Sequence, residues 1–384
     1  MTGQRVELRG KYGSIRYLGK LRNNPKAGDD LWLGIEWDEL GSGRHNGTVD
    51  GENYFGCEFH TTAAEYASGQ TQCCSFIRYG KIEIGGISLK EAIMLRYKPE
   101  NMMTEEEKEL ERKKLEAEQY VMSSKNKMVK IEMVGFDQSY KYRADVTNSL
   151  DIALDLMNIS EVGQPGELRA LIPGTMNLYL DKNKLYSWDQ YFAIIGQLPY
   201  LTMITLTGNK FRRIQPNYLE DKNVNTLIHS FLTEVILIDM ALDWPQVLAL
   251  APTLIYVEQL HLVRNNCNKI CSLYEVPRTH FKVLKFINLE GNGIESWDEV
   301  IEFRHLPNLK RLTLNKNRIS SIYYKPGFNE LYMLSIEDNL IDNWESFDRL
   351  NEFPQIKNLR VLNNPIFLEA IGGPKARECA IGRV

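Results

Sequence analysis

The sequence predicts a multidomain chain: a small antiparallel glycine-rich β domain, a charged helical linker, and an α/β solenoid built from a repeated unit. Three observations carry this. Fifteen of the 27 glycines fall in the first 90 of the 384 residues. Between about Thr104 and Met128 the composition turns to glutamate, lysine and arginine. From about Leu150 onward one short motif recurs at intervals of 22 to 31 residues. The expected boundaries are 1–98, 99–130 and 131–384.

In the first region, RVELRGKYGSIRYLGKL alternates apolar and polar residues, with Gly10, Gly13 and Gly19 where a small barrel bends. LWLGIEWD reads as a further strand and CSFIRYGKIEI as the closing ones. Just after LWLGIEWD stands GSGRHNG, Gly41 to Gly47, a basic pair and an amide between closely spaced glycines. Such a loop suits either a tight turn or a contact surface that another chain approaches closely.

The second region, TEEEKELERKKLEAEQY, is rich in helix formers, with Glu109 and Lys113 at i, i+4 spacing, and too poor in apolar residues to bury a face. It reads as a solvated helical spacer, with a short coiled coil or partner helix as the other reading.

The third region carries MNLYLDKNKL, LTMITLTGNKF, VEQLHLVRNNC, LKFINLEGNGI, LKRLTLNKNRI, LYMLSIEDNLI and LRVLNNPI. Their central positions, Leu180, Leu206, Leu237, Leu262, Leu289, Leu314, Ile336 and Val361, with Leu154 in a degenerate first copy, give leucine-rich-repeat spacing. Each L-x-L core is a short strand. The asparagine that follows (Asn183, Asn209, Asn265, Asn292, Asn317, Asn339, Asn364) is placed to hydrogen-bond backbone groups left open at the turn. SWDQ at Ser187, DWPQ at Asp243, SWDEV at Ser296 and NWES at Asn343 open helices whose tryptophans pack on the solenoid. Ser187 with Gln190 and Ser296 with Glu299 have capping-box spacing.

The formal net charge of −4 excludes the basic excess on which non-specific nucleic-acid and membrane-surface binding rely. MTGQRVELRGKYG lacks the apolar stretch of a secretory signal, and no run of about 18 apolar residues occurs, so a cytoplasmic home is expected. The six cysteines show no disulfide spacing and are expected as thiols. Cys57 and His60 with the Cys73-Cys74 pair can be drawn as a zinc site. Adjacent cysteines seldom both reach one ion, however, and lone cysteines beside aromatics are commonly small core residues, so no metal is expected. Neither H-E-x-x-H, G-x-S-x-G nor a phosphate-cradling G-x-x-x-x-G-K-[ST] loop is present. No enzyme activity and no cofactor are expected. Asp298 and Glu299 read as helix N-terminal residues.

Residues Gly13 through Arg78 resemble a CAP-Gly domain in four places: GSIRYLG, LWLGIEWD, the GRHNG loop, and YFGC with SFIR downstream. Together with the spacer and the repeats, nearly the whole chain resembles the tubulin-folding cofactor E family, which usually continues into a C-terminal ubiquitin-like domain; this sequence stops at ECAIGRV. The run between Cys57 and Phe76 departs from the family pattern, with Cys73 and Cys74 where glycines are usual.

The resemblance implies a chaperone cofactor that binds α-tubulin and, with other tubulin-folding cofactors, assembles or dismantles the αβ-tubulin heterodimer. In that reading the glycine loop takes the acidic-aromatic C-terminal tail of α-tubulin while the repeats hold the tubulin body. Backbone N–H groups exposed in the loop Gly43 to Gly47 would capture a terminal carboxylate, the Asn46 amide would hydrogen-bond the peptide, Arg44, with His45 if protonated, would favour acidic side chains nearby, and Trp32, Phe55 and Phe76 would supply an aromatic slot. A plain β-turn over buried aromatics is the alternative at that loop. For the whole chain the alternative is a microtubule-associated adaptor that recruits a signalling partner through its repeats. The resemblance also implies cytoskeletal association.

Overall fold

The computed structural model describes residues 1–21, 30–59, 72–97, 104–106, 109, 120–122, 128–130, 146–215, 218–220, 222–270, 273 and 280–369. The first region forms strands β1 (Arg5–Leu8), β2 (Lys11–Gly19), β3 (Trp32–Trp37), β4 (Thr48–Val49), β5 (Glu52–Asn53), β6 (Cys74–Arg78) and β7 (Glu83–Ile84). An antiparallel sheet runs in the order β6-β3-β2-β1-β7, and β4 and β5 form a separate hairpin. Asp50 and Gly51 both take positive φ at the tip of that hairpin, the geometry of a tight two-residue turn.

Alternation splits the side chains between two faces. One face buries Val6, Ile15, Leu33, Ile35 and Trp37. The other gathers Phe55, Cys73 and Cys74 with Tyr17, Tyr54, Cys57 and Phe76 around them. Two ion pairs are buried at the sheet. Arg5 bonds Asp38 and Ser14, and the fully buried Glu36 carboxylate accepts from Arg16 Nε at 2.7 Å and from the Glu58 and Phe59 N–H groups. The second network fastens the segment after Tyr54-Phe55-Gly56-Cys57 to β3 and so fixes the wall that Phe55 forms.

From Asp151–Ala153 to Asn358–Arg360, nine three-residue strands form one parallel sheet in sequence order, paired in register. The middle residue of eight of these strands is buried (Ile152, Leu178, Ile204, Val235, Leu260, Ile287, Leu312, Leu334), as are all the predicted repeat positions from Leu154 to Val361. The asparagines form the expected ladder, and all seven are buried. Asn317 is representative. Its Nδ2 donates to the carbonyls of Leu289 (3.0 Å) and Leu314 (2.9 Å), and its Oδ1 accepts from Asn292 N–H and Ile294 N–H at 3.0 Å each, so one amide closes two successive turns.

Trp188, Trp244 and Trp297 are buried at the starts of the helices Trp188–Ile195, Trp244–Leu250 and Trp297–Ile301, as expected of core spacers. Trp344 is only partly buried. Ser187 and Gln190 make a complete capping box. Ser296 departs from that expectation: its hydroxyl accepts from Asp298 N–H, while the Glu299 carboxylate reaches back to Ile270 N–H at 2.6 Å. Glu299 serves the preceding repeat, whose open backbone N–H is the stronger claim.

The expected spacer helix lies mostly outside the described residues. At its end Tyr120–Met122 and Met128–Lys130 pair as antiparallel strands, where the helix was expected to run on to Met128. The runs YVM and MVK, rich in β-branched and aromatic residues, favour that pairing over a helix.

After β7 the chain leaves the first sheet. Strand β8 (Ile87–Ser88) pairs in parallel with Ile159–Glu161, and helix α1 (Leu89–Arg96), begun by a Ser88–Glu91 capping box, buries Leu89, Ala92 and Ile93 in the core of the repeats. Tyr97 Oη accepts from Ala153 N–H (2.8 Å) and donates to the Ala153 carbonyl (3.2 Å), covering the open edge of the first repeat strand. Lys184, almost fully buried, donates to the Gly85 carbonyl at 3.2 Å and lies 3.5 Å from Glu7. The glycine-rich module is therefore docked on the solenoid, and its last helix caps the repeats.

Candidate tail-binding groove

Around the glycine loop, geometry explains both flanking glycines. A Cβ on Gly43 would collide with the backbone of Cys73 and Cys74. Gly47 has φ +98°, and a Cβ there would collide with the Phe55 carbonyl. The loop is thus pressed between β6 and the Phe55 segment, leaving Arg44 and Asn46 exposed, His45 half-buried between them, and Gly47 buried.

The loop's amides are largely spoken for. Gly43 N–H donates to Gln72 O, Arg44 and His45 N–H to Cys74 O, Gly47 N–H to His45 Nδ1 (3.0 Å), and Thr48 N–H to Asn46 Oδ1 (3.2 Å). The Gly43 donor is taken by Gln72, just before β6, and the Gly47 donor by the loop's own His45, so neither of these N–H groups is left for a carboxylate. Among the described residues the Asn46 side-chain NH2 donates to nothing, so the side chains of Asn46 and Arg44 remain to meet an anion.

Burial also disfavours the protonated form of His45. Burial pushes its imidazole below the usual 6.5, with only the nearby Cys73 thiol working the other way, and its Nδ1 must stay unprotonated to accept from Gly47. His45 serves as a neutral ring that stacks on Phe76, centroids 5.0 Å apart.

Phe76 is the hub of the aromatic slot. Tyr54 lies at 5.2 Å, Phe55 at 5.7 Å and Tyr17 at 5.9 Å, all edge-on. Tyr17, Gly34 and Phe76 are cross-strand partners on one face, and the bare Gly34 gives Phe55 room to lie flat on β3. Phe55 and Phe76 come together as the sequence suggests. Trp32 is two residues along the same face, opposite Arg78, whose guanidinium sits 5.4 Å from its ring, and it stands beside the slot rather than in it. Tyr17 and Tyr54 were missed. Strand alternation in SIRYLG and ENYF marks them as aromatic, but only the pairing of β2 with β3 puts Tyr17 across from Gly34.

This constellation lies on a glycine-rich β domain, residues 2–81 of which match the CAP-Gly domain family, and leucine-rich repeats follow it. The chain is similar to the tubulin-folding cofactor E proteins. It is 29% identical over 326 residues to tubulin-folding cofactor E of Arabidopsis thaliana, covering 84% of this chain and 55% of that protein. It is 32% identical over 324 residues to tubulin-specific chaperone E of Danio rerio (84% and 54%), and 29% identical over 324 residues to that of Homo sapiens (84% and 54%). The chain spans about half the length of these curated relatives, which are named as cofactors or chaperones rather than as enzymes. Among the described residues no helix is long and apolar enough to cross a membrane.

Proposed function

We propose that the chain is a tubulin-folding chaperone cofactor whose glycine loop takes the acidic-aromatic C-terminal tail of α-tubulin and whose repeats hold the tubulin body, in assembly or disassembly of the αβ-tubulin heterodimer. The observation that carries this is the cluster of Tyr17, Tyr54 and Phe55 rings around the partly exposed Phe76, on which His45 stacks between the exposed Arg44 and Asn46. A terminal aromatic ring enters the slot edge-on, the terminal carboxylate meets Asn46, and the preceding glutamates meet Arg44. The names of the relatives support tubulin as partner. The work is binding, with no catalytic step and no bound cofactor, in the cytoplasm alongside the cytoskeleton and other tubulin-folding cofactors.

Titration of the full chain with a peptide ending in glutamates and an aromatic residue tests the assignment. Asn46→Ala removes an exposed hydrogen-bonding group and should weaken binding by about 1 to 3 kcal/mol with the fold intact. Equal affinity for a peptide lacking its final aromatic residue would sink the tail reading. Loss of soluble heterodimer on mixing with αβ-tubulin supports the cofactor role, whereas binding to polymer alone favours the adaptor.

A further inference from the structure

Three cysteines converge behind the glycine loop. Cys57 Sγ is 3.0 Å from Cys73 Sγ and 3.4 Å from Cys74 Sγ, and the latter two are 3.6 Å apart. Among the described residues this is the one group of three cysteine, histidine or carboxylate side chains whose ligand atoms all lie within 4.8 Å of one another. Adjacent cysteines on a regular strand point to opposite faces. Cys73, however, lies just before β6, outside its ladder, and its sulfur stays on the side of Cys74.

We propose that Cys57, Cys73 and Cys74 form a binding site for one thiophilic d10 cation, zinc or copper(I), with each sulfur as a thiolate ligand. Zinc–thiolate bonds of about 2.3 Å set sulfurs roughly 3.8 Å apart around a shared ion, so the triangle needs to widen by less than about 1 Å. Soft sulfur donors with no oxygen ligand among them select these two ions over magnesium or calcium. Cys73 and Cys74 are buried and Cys57 is half-buried, so the ion enters past Cys57, where zinc can add a water as fourth ligand. Packing alone gives no reason for three sulfurs here, since small apolar side chains would fill the space equally well.

The site ties together what the groove needs tied. Cys57 follows the Phe55 wall, Cys74 begins the strand that carries Phe76, and Cys74 N–H donates to His45 O of the glycine loop at 2.8 Å. An ion at the three sulfurs fixes both walls and the loop at once, and its binding releases the thiol protons to solvent. The site does not depend on what the groove holds.

The test uses the full chain, purified with reductant and stripped by chelator, titrated with zinc and, anaerobically, with copper(I), each against a colorimetric competitor. One equivalent of one of the two ions is expected, and the two arms tell which. Cys57→Ser and Cys73→Ser should each lower affinity about a hundredfold or more, while Cys267→Ala, in the repeats, should not. If the serine variants fail to fold, the wild-type chain still decides: the bound ion must slow alkylation of Cys57 as mapped by mass spectrometry. No stoichiometric ion, binding retained in both folded serine variants, or Cys57 alkylated equally fast with and without ion would each overturn the proposal.

Discussion

His45 shows how much of the groove depends on one ring staying uncharged. Its Nδ1 accepts the Gly47 N–H, and its face lies on Phe76. Burial lowers its pKa below the usual 6.5, so the unfolded chain takes up the proton first as pH falls. The stability it contributes is complete above about 6.5, is lost as pH drops through that value toward the native pKa, and changes no further once both states are protonated. Since burial also lowers the pKa of His261, His280 and His305 in the repeats, global unfolding reads all four. The Gly47 amide is the local reporter: its chemical shift should move and its protection from hydrogen exchange, relative to the intrinsic rate at the same pH, should fall as pH drops through the native His45 pKa below 6.5, and neither should occur in His45→Phe. A Gly47 amide indifferent to pH would mean that His45 does not hold the loop. Residue identity alone revealed the need for two loop glycines and an exposed amide. It did not reveal that Cys74 of β6 takes the Arg44 and His45 donors or that Tyr17 joins the ring cluster, because both follow from partners more than 15 residues away.

At the scale of the element, the repeat was legible because its chemistry is periodic. A buried leucine and a buried asparagine return together, and each asparagine satisfies backbone groups in its own turn and the one before. The two contributions can be compared directly. Leu289→Ala empties a fully buried site and should destabilise the solenoid by about 2 to 5 kcal/mol. Asn317→Ala removes no large apolar volume but strands the Asn292 and Ile294 N–H groups and the Leu289 carbonyl, while the Leu314 carbonyl keeps Asn339 Nδ2; at about 1 to 3 kcal/mol for each unmet group, its loss should equal or exceed that of Leu289→Ala. Chemical denaturation of the two variants side by side measures this. A clearly smaller loss for Asn317→Ala would show that the ladder is solvated rather than structural. What periodicity left out were the elements with no repeat to announce them, β8 and α1, whose sequence ISLKEAIMLR reads equally well as the end of the first domain.

For the whole molecule those two elements change the mechanical picture. A charged spacer between independent domains would leave the groove tethered, with its local concentration set by chain length. Instead, Leu89, Ala92 and Ile93 lie in the repeat core, Ile87 pairs with Ile159, Tyr97 covers the first repeat strand, and Lys184 reaches Gly85 and Glu7. The groove is held at a fixed place relative to the solenoid, so a tail and a body can be met together only by a partner whose own geometry fits. Proteolytic cutting between 104 and 119 should therefore leave the two pieces associated through native gel filtration, because covalent continuity there is not what joins them. Ile93→Asp, which buries a charge in the cap, should let the cut pieces separate. A fragment of residues 131–384 should be less stable than one of residues 85–384, since burying a side chain such as Leu89 or Ile93 contributes about 1.5 to 3 kcal/mol. Pieces that part on cutting the unaltered chain, together with equal stability of the two fragments, would return the molecule to two tethered domains and restore the spacer as the determinant of how tail and body are held.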